Sequence, residues 1–353
     1  MYYLKFLYIF FLVLALNIFF FSTTNINAKA FLIDEIQISE KLENNFNKES
    51  LINEGFEQAF KELISRLVKS VDLNKTDNTN LNEIKSMIET FSIKEEKFIN
   101  KVYYLNLGVS FNKKKIFNYL ETKNVFPSQI VKKNFLFIPI IIDEENNDLL
   151  IFSNNPIYEK WNEVEKKNFL IEYLLATEDL EDFSLIKENF LDLENYDFQE
   201  IIKKYFLDYS IVALVFKDND EIKVLSKIYI EDKKIIKSNS FKNINYDNKE
   251  NLIDLISKLK IIYEDFWKDQ NLINTSIKLS LSIRVDNKDF SLSSEFEKTL
   301  NEVDLISNYF ISKFNKDHIF YEIIFNGTTN KFINIMKDKN YNFDTQKKVW
   351  ILK

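Results

Sequence analysis

The chain has 353 residues, with 54 acidic and 47 basic side chains and a formal net charge of −7. This acidic, evenly mixed balance argues against a phosphate-backbone partner, which takes a concentrated basic face, so no nucleic acid is expected. Zero cysteines and one histidine exclude a disulfide framework, thiol nucleophiles and histidine-based zinc sites, and three glycines leave no phosphate-cradling loop.

The first segment predicts export. Lys5 and the amino terminus supply positive charge, residues 6–21 an apolar run broken only by Asn17, and residues 22–27 a polar stretch. Ala28-Lys29-Ala30 then offers the small-x-small pattern of a signal-peptidase site, so residues 1–30 read as a cleavable signal peptide and the mature chain starts at Phe31. The alternative is an uncleaved anchor in the inner membrane. A run of roughly 24 Å falls short of the ~30 Å hydrocarbon core, so a periplasmic protein with no stable span after cleavage is expected.

Residues 31–39 alternate weakly and predict a strand. The next segment, 48–71, is the clearest helix, with Ile52, Phe56, Phe60, Leu63, Leu67 and Val71 three or four residues apart. A helix over 80–91, a strand over 101–111 and a helix over 114–122 complete a small α/β domain spanning 31–126. A central mixed-sheet α/β domain is expected over 127–270. It opens with an apolar strand at 135–142, set near a sheet margin by Pro139, with a hairpin partner at 149–152. Helices follow at 158–167 and, after a strand at 169–175, at 180–189 and 198–206. Strands at 209–216, 221–230 and 234–241 form a meander, and a long amphipathic helix covers 248–268. From residue 271 to 353 the order strand, helix, strand, strand, helix, strand predicts a ferredoxin-like domain.

Three carboxylates crowd together in Asp179-Leu180-Glu181-Asp182, at the end of a strand. Two readings compete: Asp179 caps the next helix while Glu181 and Asp182 favour its positive end, or the group binds a cation or works as an acid–base pair. Trp161 is either a partner- or sugar-docking aromatic or a core residue; Asp179, Glu181, Asp182 and Trp161 are thus the candidate binding residues. Residues 143–148 resemble a calcium loop only superficially, with no glycine at the sixth position and Asn154 at the twelfth, so a solvated turn is expected. The acidic turns at 218–220 and 286–289 read the same way, and His318 reads as a turn residue. No metal, cofactor or catalytic residue is expected.

Several of these segments together resemble a bacterial exported family known as domain of unknown function two thousand and sixty-six. They are the exported start, the helix Ala59-Phe60-Lys61-Glu62-Leu63-Ile64-Ser65-Arg66-Leu67, the apolar strand at 135–142, Asn155-Pro156 followed by Trp161, and the Asp179-to-Asp182 core. The chain departs from that pattern by lacking a glycine before Asp179 and after Leu67. The resemblance implies an envelope protein and carries over no site. Residues 201–216 and the meander after them are also similar to envelope α/β accessory domains that dock onto other proteins. The expected function is therefore a non-enzymatic envelope accessory or protein-interaction module with an envelope protein partner. The alternatives are a carboxylate-based envelope hydrolase and a periplasmic small-ligand binder.

Overall fold

The computed structural model describes residues 31–43, 46–143, 148–164, 168–218, 221–242, 248–286 and 290–353. The leader with Ala28 and Ala30 lies outside them, as do the interior of the 143–148 turn, the last residues of the helix expected at 158–167, and parts of the turns at 218–220 and 286–289. The fold is mixed α+β with three sheets. Of the described residues, those within Met1–Leu63, Asn78–Phe126 and Ile273–Lys353 form one compact unit, called discontinuous below; Ile64–Asp77 and Pro127–Leu272 form a central unit.

Strand β1 (Leu32–Lys41) is followed by helix α1 (Lys48–Leu67), whose first amides are met by the Asn47 side chain, 2.9 Å from the Glu49 nitrogen. Of the stripe the sequence marks, Phe56, Phe60, Leu63 and Leu67 are buried, whereas Ile52 is half-buried, with Leu51 buried beside it, and Val71 is exposed. A 3-10 turn, Ser70–Lys75, replaces the last expected helical turn. The reason is tertiary: Lys268 Nζ donates to the carbonyls of Ser65 (2.5 Å) and Val68 (2.9 Å), and the Ser128 amide to that of Leu67 (2.7 Å). These donors satisfy carbonyls that another helical turn would have used.

Helix α2 (Leu81–Met87) starts on Asn80, whose Oδ1 accepts from the Glu83 amide at 2.9 Å. It stops four residues short of the expected end. From Ile88 the chain is strand β2 (Ile88–Ile99), which pairs antiparallel with β3 (Val102–Phe111). The alternation Phe91, Ile93 was hidden in the sequence because Lys94 is an extra residue, bulged between the pairs Ile93–Leu107 and Glu95–Asn106, so the period of two breaks mid-strand. The sheet order is β1-β3-β2. At Gly55 a Cβ would come within 2.5 Å of Leu107 Cδ1, so α1 approaches β3 at a glycine. Helix α3 (Lys113–Thr122) follows, capped by Asn112.

In the central unit, β4 (Lys133–Asp143) pairs antiparallel with the short β5 (Asp148–Leu150). The helix expected at 158–167 is instead α4 (Pro156–Lys160) and a 3-10 turn, Trp161–Glu163. Strand β6 (Ile171–Leu175) lies parallel to the first half of β4; helices α5 (Leu180–Glu188) and α6 (Gln199–Lys203) follow, the second shorter than expected. Strands β7 (Tyr209–Asp218), β8 (Glu221–Ile230) and β9 (Lys233–Lys242) make the meander, and α7 (Lys249–Gln270) closes the unit. The order is β5-β4-β7-β8-β9 with β6 also on β4, and β4 and β7 are parallel.

Alternate residues of β4 enter two cores. Phe135, Phe137 and Ile141 pack with Trp161 and the apolar side of α7, whereas Leu136, Ile138 and Ile140 pack with Ile186, Phe198 and Ile201. Such a strand, buried on both faces, reads as a continuous apolar run. Pro139 is tolerated in it because β6 pairs with β4 only as far as Phe137 and the pairing with β5 starts at Ile141. In that gap the Asn155 amide donates to the Pro139 carbonyl at 3.0 Å. A strand residue's N and C=O point the same way, so the missing N–H faces a place with no ladder to break.

The discontinuous unit resumes with β10 (Leu279–Asp286), α8 (Phe290–Glu302), β11 (Ile306–Phe314), β12 (His318–Phe325), α9 (Thr329–Asp338), β13 (Phe343–Asp344) and β14 (Val349–Leu352). The sheet order is β11-β12-β10-β14-β13. A strict β-α-β-β-α-β fold returns its last strand antiparallel to the first; here β14 runs parallel to β10. The added β13 takes the outer position and turns back, so β14 enters between it and β10 in the opposite sense. Two residues carry no readable period, which is why the sequence missed it.

Candidate functional site

The three carboxylates are brought together at the start of α5. Asp179 Oδ1 accepts from the amides of Glu181 (2.9 Å) and Asp182 (3.0 Å). The Asp182 N–H bond is the main cause holding the Asp179 carboxyl below its ordinary range. Asp182 is buried and meets Lys204 Nζ at 2.7 Å, while Glu181 meets the same ammonium at 3.0 Å. The hydrogen bond to Asp182, then that to Glu181, raises the Lys204 pKa. Glu178 accepts from the Ser153 amide at 3.0 Å, and the Ser153 side chain, then this amide, hold its pKa below the ordinary value. The arrangement is a capped helix start with a half-exposed lysine between two acids. Asp179→Ala is expected to lower stability by about 1 kcal/mol, and Asp179→Asn by only a few tenths, since asparagine caps equally well. Urea unfolding of both variants checks this.

Trp161 is not beside these acids. It sits in the core on the other face of the sheet, stacked on Phe137 with ring centroids 3.8 Å apart and edge-on to Tyr173 at 5.1 Å. Lys260 Nζ lies 5.0 Å from the Trp161 ring and donates to the Val164 carbonyl at 2.7 Å. The Asn155-Pro156 pair has a local task. Asn155 Oδ1 accepts from the Ile157 amide at 2.9 Å and its Nδ2 donates to Leu150 and Pro139, so one buried side chain starts α4 and fills the β4–β5 gap. His318 begins β12 opposite Asp286. Asp143 and Asp148 face each other across β4 and β5. Among the described residues, no group of three or more acids and histidines is placed to hold a metal ion, and no helix is long and apolar enough to cross a membrane.

The sequence reading missed the buried charges. In α7, Lys260, Glu264 and Lys268 continue at four-residue steps the apolar stripe of Leu252 and Ile256, and all are buried. Each meets a passing backbone: Lys260 the Val164 carbonyl, Glu264 the amides of Leu170 (2.9 Å) and Ile171 (2.8 Å), and Lys268 the end of α1. Beside them Asp265 accepts from the Ser70 amide at 2.7 Å and Asp269 pairs with Lys69 at 2.8 Å. On the other sheet face, the fully buried Lys227 donates to the carbonyls of Leu193 (2.9 Å) and Tyr196 (2.7 Å). The signal was present as charge on an apolar stripe.

The surface holds the more open features. Most of β2 is exposed along the edge of its sheet. Phe91, Ile93, Glu96 and Phe98 share the α1 face, since they pair with the buried Val109, Leu107, Leu105 and Tyr103. Even so, Phe91 is 50% and Phe98 62% exposed. At the edge of the five-stranded sheet, Phe310, Ile311 and Phe314 of β11 are also exposed. No family model matches the chain, and no curated protein matches it.

Proposed function

We propose that this is an exported, non-enzymatic protein of the bacterial envelope that works by docking onto a protein partner. The observation that carries the reading is β2: twelve residues of strand at a sheet edge, with Phe91, Ile93, Phe98 and Ile99 all exposed. An edge of this kind offers unpaired backbone groups and apolar side chains to an added strand. The acidic cluster supports it too, since Asp179 is spent on amides and Asp182 on Lys204. Export with cleavage after Ala30, kinship with the exported family, and a C-terminal ferredoxin-like contact domain carrying one extra strand belong to the same proposal.

Photoreactive residues placed at Phe98 and Phe314 in living cells test it, with the 94% exposed Leu191 as control. The expected result is one recurrent protein adduct from an edge position, none from Leu191, and a mature amino terminus at Phe31. A chain that begins at Met1 in the cytosol, or that turns over cell-wall or ester substrates at enzymatic rates, overturns the reading.

A further inference from the structure

Two open hollows adjoin in the discontinuous unit, one of about 630 Å³ and one of about 520 Å³, sharing Glu89, Lys113 and Asn301 in their walls. The hollows present polar and apolar surface in comparable measure, although Phe117, Leu300 and Ile306 are themselves largely buried. The polar part of the first is rich in side-chain amide: Asn112, Asn118, Asn301 and Asn308.

The hydrogen bonds already made show what remains to be offered. Lys113 Nζ is engaged by the Val303 carbonyl at 2.8 Å and by Asp304 at 3.4 Å, and burial lowers its pKa, so it is poorly placed to attract an anion. Asn112 Oδ1 accepts from the Lys115 amide at 3.1 Å and Asn308 Oδ1 from Lys114 at 3.0 Å, which leaves the two NH₂ groups as donors. Asn301 Nδ2 donates to the Tyr309 hydroxyl at 3.0 Å, leaving the phenolic proton and the Asn301 carbonyl for a ligand.

We propose that this groove binds a neutral, N-acetylated oligosaccharide. Side-chain amide donors and acceptors match acetamido groups and hydroxyls. The apolar share of the walls suits the acetamido methyl groups and the ring faces of such a sugar. A polyanion takes a surplus of cations, whereas these walls set Lys113, Lys114 and Lys298 against Glu89, Glu297, Glu302 and Asp304. The site meets β2 only at Glu89, apart from the exposed Phe91, Ile93, Phe98 and Ile99, and stands whether or not that stretch docks a protein.

Calorimetric titration of the full chain with chitotetraose tests the proposal, with maltotetraose as the sugar lacking acetamido groups. Binding with a Kd on the order of 0.1 mM is expected. Tyr309→Phe and Asn301→Ala are each expected to weaken it at least about fivefold, with the urea midpoint unchanged, because both side chains reach solvent. Asn118→Ala, at an exposed position on α3, serves as a third variant should either of these unfold. No heat at about 5 mM sugar, equal affinity in the folded variants, or equal affinity for maltotetraose would each overturn it.

Discussion

Replacing Glu264 with leucine is expected to destabilise the central unit by about 3 kcal/mol, one of the two largest single-site losses anticipated for the chain. The carboxylate is buried, and its Oε1 accepts from both Leu170 (2.9 Å) and Ile171 (2.8 Å), the amides that lead into β6. Leucine fills the space but leaves two buried N–H groups without acceptors and Lys268 without the carboxylate that most favours its charge. Glutamine behaves differently, because its amide oxygen can keep both bonds; a loss under about 1 kcal/mol is expected. Burial raises the Glu264 pKa above its ordinary value, against the pull of the two amide bonds. The folded pKa exceeds the unfolded one, so this group's contribution is full at low pH and is lost as pH rises through the folded value. Glu264→Gln removes that fall. Urea unfolding followed by tryptophan fluorescence in a Trp350→Phe background reports the central unit alone, through Trp161 and Trp267. An unchanged midpoint for the leucine variant would show that the two amides find other acceptors.

The same stripe explains why a sequence can be read for its elements and still hide how they are joined. The apolar spacing of α1, the alternation of β10 and the continuous run of β4 each follow from a period the side chains must keep, and these segments are legible. What the period does not mark is lost. Lys94 breaks the alternation of β2, β13 is too short to have a period, and the end of α1 is fixed by Lys268, which is distant in sequence. Buried charge is read as surface because charge usually is surface. Of the candidate site residues, Asp179 was legible as a cap because capping is local: residue, amide and helix start lie within three positions. Trp161 was legible as a buried aromatic for the same reason that its neighbours are, whereas its place on the opposite sheet face from Asp182 depends on which residues of β4 point which way. The groove between α3, α8 and β11 combines residues nearly two hundred positions apart and leaves no mark in any one segment.

Lys227 gives the second large effect, and its sign is set by burial. The ammonium is fully enclosed, donates to the Leu193 and Tyr196 carbonyls, and lies 5.0 Å from the Phe198 ring. Desolvation, with a smaller push from Lys234, brings its pKa down from 10.5 to about 8. The folded value is therefore depressed: between about 8 and 10.5 the unfolded chain binds a proton that the folded chain does not. Stability then rises with pH across that window, by roughly 3 kcal/mol for this group taken alone, and the gain is absent below it. Lys227→Met orphans two buried carbonyls and is expected to lose about 2 kcal/mol at neutral pH. Its deficit against the natural chain should widen toward about pH 10, because methionine has no proton to release. Unfolding midpoints for both chains at several pH values decide it, since other lysines and tyrosines titrate equally in the two and cancel in the difference. A deficit that stays constant from neutral to alkaline pH would mean that Lys227 keeps its charge in the folded core, held by the carbonyls that its ammonium already bridges.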